Sequence, residues 1–227
     1  MRIARSILVG LMLLALMASP LLALAQEDDD EALMEVDTSE WVEFTSEDEY
    51  YTLLLPPDWV AGPSEEPGSI VIANSEALLE TFDDDDVPAE PGQKVVAVFA
   101  LLPTDLLALM GASVDDETTA EELIEAMAEI FAAESAGDEE DDTEFGETDL
   151  LVLGEDFEIG VIEISSEANA FEGYFFAYVP TEGVLAVGLA ATYIGELDEE
   201  FEATAATILA NLELSITPEE LMEMMEG

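Results

Sequence analysis

Four apolar runs crowd the second half of the chain, and the links between them leave little choice of topology. Residues 149–153, 157–164, 171–179 and 184–193 each have the length and composition of a strand. Their connections, such as Gly154-Glu155 and Pro180-Thr181-Glu182-Gly183, span only a few residues. A parallel crossover needs about a dozen residues or more, so neighbours joined this way run antiparallel. Residues 94–102 (KVVAVFALL) are apolar on both faces, as in a central strand covered on two sides. Two further strands, 41–45 and 50–55, flank the acidic turn Ser46-Glu47-Asp48-Glu49, and a short one follows at 69–73. Pro56-Pro57 ends the second of these, because proline cannot donate to a ladder.

Helices are marked by caps as much as by periodicity. Thr119 and Glu122 fit a capping box ahead of an apolar stripe of Leu123, Met127, Ile130 and Phe131. Ser75 is placed to cap a turn bearing Leu78, Leu79 and Phe82. Pro103-Thr104-Asp105 opens a brief helix that Gly111 closes. Residues 198–212 put Phe201, Ala205, Ile208, Leu209 and Leu212 on one face, and Thr217-Pro218-Glu219-Glu220 caps a short final helix. The expected fold class is α/β of the α+β kind: one antiparallel β-sheet covered by helices.

The N-terminus reads as a targeting segment. Met1-Arg2-Ile3-Ala4-Arg5 is positive, residues 7–18 are apolar, and Ala23-Leu24-Ala25 offers small residues suited to signal peptidase. A transmembrane span needs about 20 apolar residues, and Ser19-Pro20 interrupts this run early. The expected organisation is a signal peptide at 1–25, an acidic leader at 26–39, one domain at 40–214 and a tail or short helix at 215–227. The expected location is secreted, extracellular or periplasmic, with no stable membrane insertion after cleavage. No cysteine adjoins the cleavage site, which excludes a lipid anchor there.

Charge then restricts function. The chain has 56 Asp and Glu against 3 Lys and Arg, and Lys94 is the single basic side chain beyond residue 25. Half of all residues are nonetheless apolar, so a packed core is expected rather than disorder. With no histidine and no cysteine there are no disulfides, no Ser-His-Asp or Cys-His nucleophile and no His-ligated zinc. Nucleic acid is excluded as a partner, since neutralising phosphates needs Lys and Arg. An unknown extracellular protein or ligand remains, together with bound counterions.

Each candidate site has a plainer competitor. Asp83, Asp84, Asp85 and Asp86 form one acidic run, and Asp138, Glu139, Glu140, Asp141 and Asp142 form another. Such loops can hold Ca²⁺, but neither follows the spacing of a preformed calcium loop, so solvated charge runs are expected. Carboxylate pairs could hydrolyse glycosides, yet acids this abundant pair by chance. Tyr174, Phe176 and Tyr178 share one face of a strand, which suits core beneath a helix better than a ligand platform. Met222, Met224 and Met225 could adapt to a partner, although a terminal helix laid on the domain explains them too. The acidity suits high salt, where carboxylates are screened, or low pH, where they are protonated; lineage bias is a third source.

The stretches YTLLLPPDWV (51–60), SIVIANSEALL (69–79) and GVLAVGLAATYIGELDEEFEATAATILANLEL (183–214), with the helix between them, resemble PsbP-like proteins. The likeness spans about residues 40–214. It implies an α/β/α sandwich around an antiparallel sheet and places Trp59 at the sheet's edge in a structural role. Known members include extrinsic subunits of photosynthetic oxygen evolution and many secreted bacterial proteins. Members that dock on a partner use basic and histidine residues that this chain lacks, so no functional residue transfers. The resulting expectation is a secreted, highly acidic, non-catalytic domain that binds or scaffolds extracellular material. The alternatives are a carboxylate-based hydrolase and a calcium-binding protein.

Overall fold

A computed structural model describes residues 36–47, 49–63, 69–82, 88, 90–104, 118–135, 143–153 and 157–226. The chain enters through β1 (Val42–Thr45), β2 (Tyr51–Leu55), β3 (Val60–Pro63) and β4 (Ile70–Ala73). Helix α1 (Glu76–Thr81), strand β5 (Lys94–Pro103) and helix α2 (Ala120–Ser135) follow. Then come β6 (Glu144–Leu153), β7 (Phe157–Ser166), β8 (Phe171–Thr181) and β9 (Val184–Tyr193). The chain finishes with α3 (Glu199–Ala210), β10 (Glu213–Leu214) and α4 (Pro218–Glu226).

The expectation of a single sheet is corrected, because the strands form two. Among the described residues seven strands run in the order β3-β4-β5-β9-β8-β7-β6, all antiparallel, while β1-β2-β10 make a separate three-stranded sheet. Strand β2 pairs with β1 along one edge and β10 along the other, so neither edge is left for the larger sheet. A tight turn then takes the chain from one sheet to the other. Asp58 has a positive φ of 71°, and the Trp59 N–H donates to the Pro56 carbonyl at 3.1 Å. Strand β3, which hydropathy alone does not announce, begins directly after that turn as the edge of the larger sheet.

The local signals hold. The Ser75 hydroxyl accepts from the Leu78 N–H at 3.2 Å and caps α1. Ahead of α2, the Thr119 hydroxyl accepts from the Glu122 N–H and the Glu122 carboxylate accepts from the Thr119 N–H, a reciprocal capping box. The same pattern precedes α4, where the Thr217 N–H and hydroxyl bonds hold the Glu220 carboxyl below its ordinary range. Asp198 caps α3 by accepting from the Phe201 N–H at 2.8 Å. The brief helix expected after Pro103 lies beyond Thr104, outside the described residues.

Each face of the large sheet has its own core. On one face Leu78 of α1 and Leu123, Ile124 and Met127 of α2 pack against Val71, Val95, Ala97, Phe175 and Val187. Leu123 and Met127 are therefore buried as their spacing predicts, whereas the side chains of Ile130 and Phe131 lie outside the described set. Gly160 permits this close approach, since a Cβ there would lie 2.6 Å from the Ile124 Cβ. On the opposite face the small sheet, α3 and α4 cover Ile72, Val96, Val98, Phe176 and Tyr178. A bulge in β5 after Val98 shifts the alternation, so that Phe99 and Ala100 both pack with the α1–α2 side. Strand β5 is thus covered on both faces, as its continuous apolar run requires. No carboxylate among the described residues is buried.

Candidate functional site

Strand β5 begins at the chain's most unusual side chain. Asn74 fixes its start: the Lys94 N–H donates to the Asn74 carboxamide oxygen at 3.0 Å, and the Asn74 N–H donates to the Lys94 carbonyl at 3.0 Å. The Asn74 amide also donates to the Gly92 carbonyl at 2.6 Å, which holds the preceding turn. Lys94 shares the strand face of Val96 and Val98 and so points towards the first turn of α3. There its ammonium lies 3.9 Å from the Asp198 carboxylate and 5.4 Å from the centroid of the Phe201 ring. About a quarter of the side chain, 26 %, stays exposed.

Both tryptophans of the chain arrive at this place. Trp41 stands just ahead of β1, its N–H donating to the Thr38 carbonyl at 3.0 Å, and Trp59 leaves the turn after β2. Both are half-buried against the core on the α3 side. With Lys94, Pro56, Glu200 and Thr204 they line a cleft of about 250 Å³. Neither indole N–H donates a hydrogen bond among the described residues. The cleft therefore gathers residues from separate segments, among them both tryptophans, a cation and, among the described residues, a single lining carboxylate, and the surface it offers is more polar than apolar.

A second group of polar side chains stitches α3 to the sheet. The Tyr178 hydroxyl donates to the Leu209 carbonyl at 3.1 Å, and burial pushes its pKa well above the usual tyrosine value. The Tyr174 hydroxyl donates to the Glu202 carboxylate at 2.7 Å. Its pKa is also raised, first by burial, then by that bond and by the nearby charges of Glu202, Glu163 and Asp149. These tyrosines and Phe176 form core beneath α3, as the plainer sequence reading has it.

The remaining expected sites fare unequally. Asp83, Asp84, Asp85, Asp86, Asp138, Asp141 and Asp142 all lie outside the described residues. Among the described residues no three acidic side chains are grouped so as to hold a metal. In α4, Leu221 is buried and Met222 is exposed, while the side chains of Met224 and Met225 fall outside the described set. Trp59 precedes the edge strand β3, the position that the resemblance implies, but it also walls the cleft. The sequence reading passes over Lys94 and Trp41. Their rarity was the available signal: a lone lysine, and two tryptophans in 227 residues.

No family model matches the chain, and no curated protein matches it. Among solved structures, it is similar to the solution structure of cyanobacterial PsbP (CyanoP) from Synechocystis sp. PCC 6803. The two share 13 % identity with a TM-score of 0.44, and the match covers 82 % of this chain and 99 % of that one. No residue role is transferred from it. Among the described residues no helix is long and apolar enough to cross a membrane.

Proposed function

We propose that the protein is a secreted, non-catalytic domain that binds or scaffolds extracellular material through the Trp41–Trp59–Lys94 cleft. One observation carries this reading: the rarest side chains of the chain, far apart in sequence, converge on one surface opening. Convergent polar groups fix the orientation of a ligand, and the lining this cleft offers is mostly polar. A glycoside hydrolase needs two facing carboxylates about 5–9.5 Å apart, whereas Glu200 alone lines this cleft among the described residues. Residues 1–25 are the signal peptide in this account, so intact mass of the exported protein should show their loss. Recovery of Met1 in a membrane fraction would contradict secretion.

Because both tryptophans line the cleft, intrinsic fluorescence is a local reporter of its occupancy. The exported protein is titrated with extracellular polymers and small solutes while its emission is followed, and each solute is recovered for mass analysis. The expected result is a saturable emission change with the solute returned intact. Cleavage at a rate proportional to protein concentration would overturn the non-catalytic reading.

A further inference from the structure

The geometry points to the outer edge of β6 as a docking surface for an extended segment of another protein, basic in one half and apolar in the other. This goes beyond the cleft and does not rest on it. On one side the large sheet ends in β3, four residues closed by Pro63, which is too short and blunt to template a partner. On the other side it ends in β6, which is ten residues long, and among the described residues no strand pairs with its far edge. Beyond a bulge between Phe145 and Thr148, the register with β7 is regular from Thr148 to Leu153. Along such a run alternate residues turn their backbone N–H and carbonyl away from the paired neighbour, towards an added strand. Phe145 packs on the α2 side and Leu151 on the α3 side, so β6 is anchored through both faces of the sheet.

The strand is divided in chemistry along its length, and that division selects the occupant. Glu144, Glu147 and Asp149 are exposed, whereas Leu150, Val152 and Leu153 are half-buried. An added strand therefore meets acid along residues 144–149 and apolar surface along 150–153. The acid is reinforced from the neighbouring strands. Asp149 shares the α3 face with Val161, its partner in β7, and Glu163 follows on that face, directly across from Tyr174. The Tyr174 hydroxyl donates to Glu202 at 2.7 Å, and the charges of Glu202, Glu163 and Asp149 all act on it. A lysine or arginine beside Asp149 enters the field of all three carboxylates. A second copy of this chain is the wrong occupant, because it would bring Glu144, Glu147 and Asp149 of both molecules to one seam. The same carboxylates that shut the edge to like molecules leave it open to the opposite sign.

The probe is the peptide VTVITKTKTK. Run antiparallel to β6, its apolar half falls along 150–153 and its lysines along 144–149. It is titrated into the exported protein by calorimetry in about 0.1 M NaCl, where a screening length of ~10 Å mutes charges far from the edge. Binding should saturate, and be roughly tenfold or more tighter than for the same peptide N-methylated throughout its backbone, which keeps its charge and loses its strand pairing. Amide hydrogen exchange should slow in β6 and not in β3. Glu147→Gln combined with Asp149→Asn should weaken binding roughly tenfold or more. The Asp149 carboxylate accepts from the Leu150 N–H at 2.8 Å, and asparagine keeps an acceptor there. Glu76→Gln combined with Glu80→Gln makes the same change of charge on α1, which packs against β3 and β4 by the opposite edge, and should leave binding nearly unchanged. The proposal is overturned if the methylated peptide binds as well, if β6 exchange does not slow, or if both pairs of substitutions weaken binding equally, as diffuse attraction would have it. A parent that sediments as a dimer with β6 already protected would make a second copy the occupant and overturn it too. None of these outcomes touches the cleft, whose tryptophan emission is read separately.

Discussion

The interior and the shell of this domain are built on opposite chemistries. Inside, both faces of the large sheet are filled with aliphatic and aromatic side chains, and the buried polar residues are Ser69, Ser166, Thr192 and Thr207 among those described. Outside, carboxylates predominate, and Lys94, the single lysine, pairs with Asp198. Elsewhere a protein surface mixes signs, so attraction and repulsion roughly cancel. Here they do not, so packing, caps and backbone bonds must hold the fold against a shell that repels itself. The two chemistries meet at the cleft, where half-buried tryptophans stand beside the lone lysine.

The largest expected effects come from the interior. Ile124→Ala on the α2 side and Ile208→Ala on the α3 side remove fully buried branched side chains, and each should cost ~2–5 kcal/mol in denaturant unfolding. Similar losses would show that the two faces support the fold equally. A loss below about half a kcal/mol at either site would mean that its helix does not cover the sheet as described.

Tyr178→Phe comes next. It deletes the bond to the Leu209 carbonyl near the C-terminus of α3 and should cost about 1–2 kcal/mol at neutral pH. The parent should also lose stability in alkali. Its folded tyrosine pKa values lie above the ordinary value of 10.0, so below that pH both states keep their protons and the contribution is complete. As pH rises past it, the unfolded chain ionises first and stability declines. Urea midpoints measured across this range should fall less steeply for Tyr178→Phe than for the parent.

Smaller again is the capping term. Thr119→Ala breaks one half of the box before α2 and should cost about 1 kcal/mol, read from thermal or urea melts. The smallest is Lys94→Met. A partly exposed pair at 3.9 Å is worth less than about 1 kcal/mol, so this variant should melt close to the parent. A large loss would make Lys94 a structural anchor for α3 instead of a group held ready in the cleft.

What the sequence made legible was whatever is local. The capping boxes at Thr119–Glu122 and Thr217–Glu220 are written within four residues, and the β6–β9 meander follows from link length. The buried stripe of α2 was readable except for Ile124, which adjoins Leu123 and falls between the positions of the simplest period. The second sheet was not readable, because the partner of β2 is settled by Glu213 and Leu214, far along the chain. Strand β3 was hidden by its four-residue length and by the proline at its end. The cleft was hidden for the same reason as the second sheet. Trp41, Trp59, Lys94 and Glu200 come from four separate segments, and no spacing rule links them.

An apolar interior is held together inside a shell of uncompensated carboxylates. The most direct test of this is the melting temperature at pH 7 as monovalent salt rises from about 0.1 M to about 1 M, which shortens the screening length from ~10 Å to ~3 Å. With 56 acidic residues and a single lysine beyond residue 25, screening removes repulsion and has almost no attraction to remove. The melting temperature should therefore climb steadily, and equally in NaCl and KCl. A melting temperature that stays level or falls with salt would contradict the account.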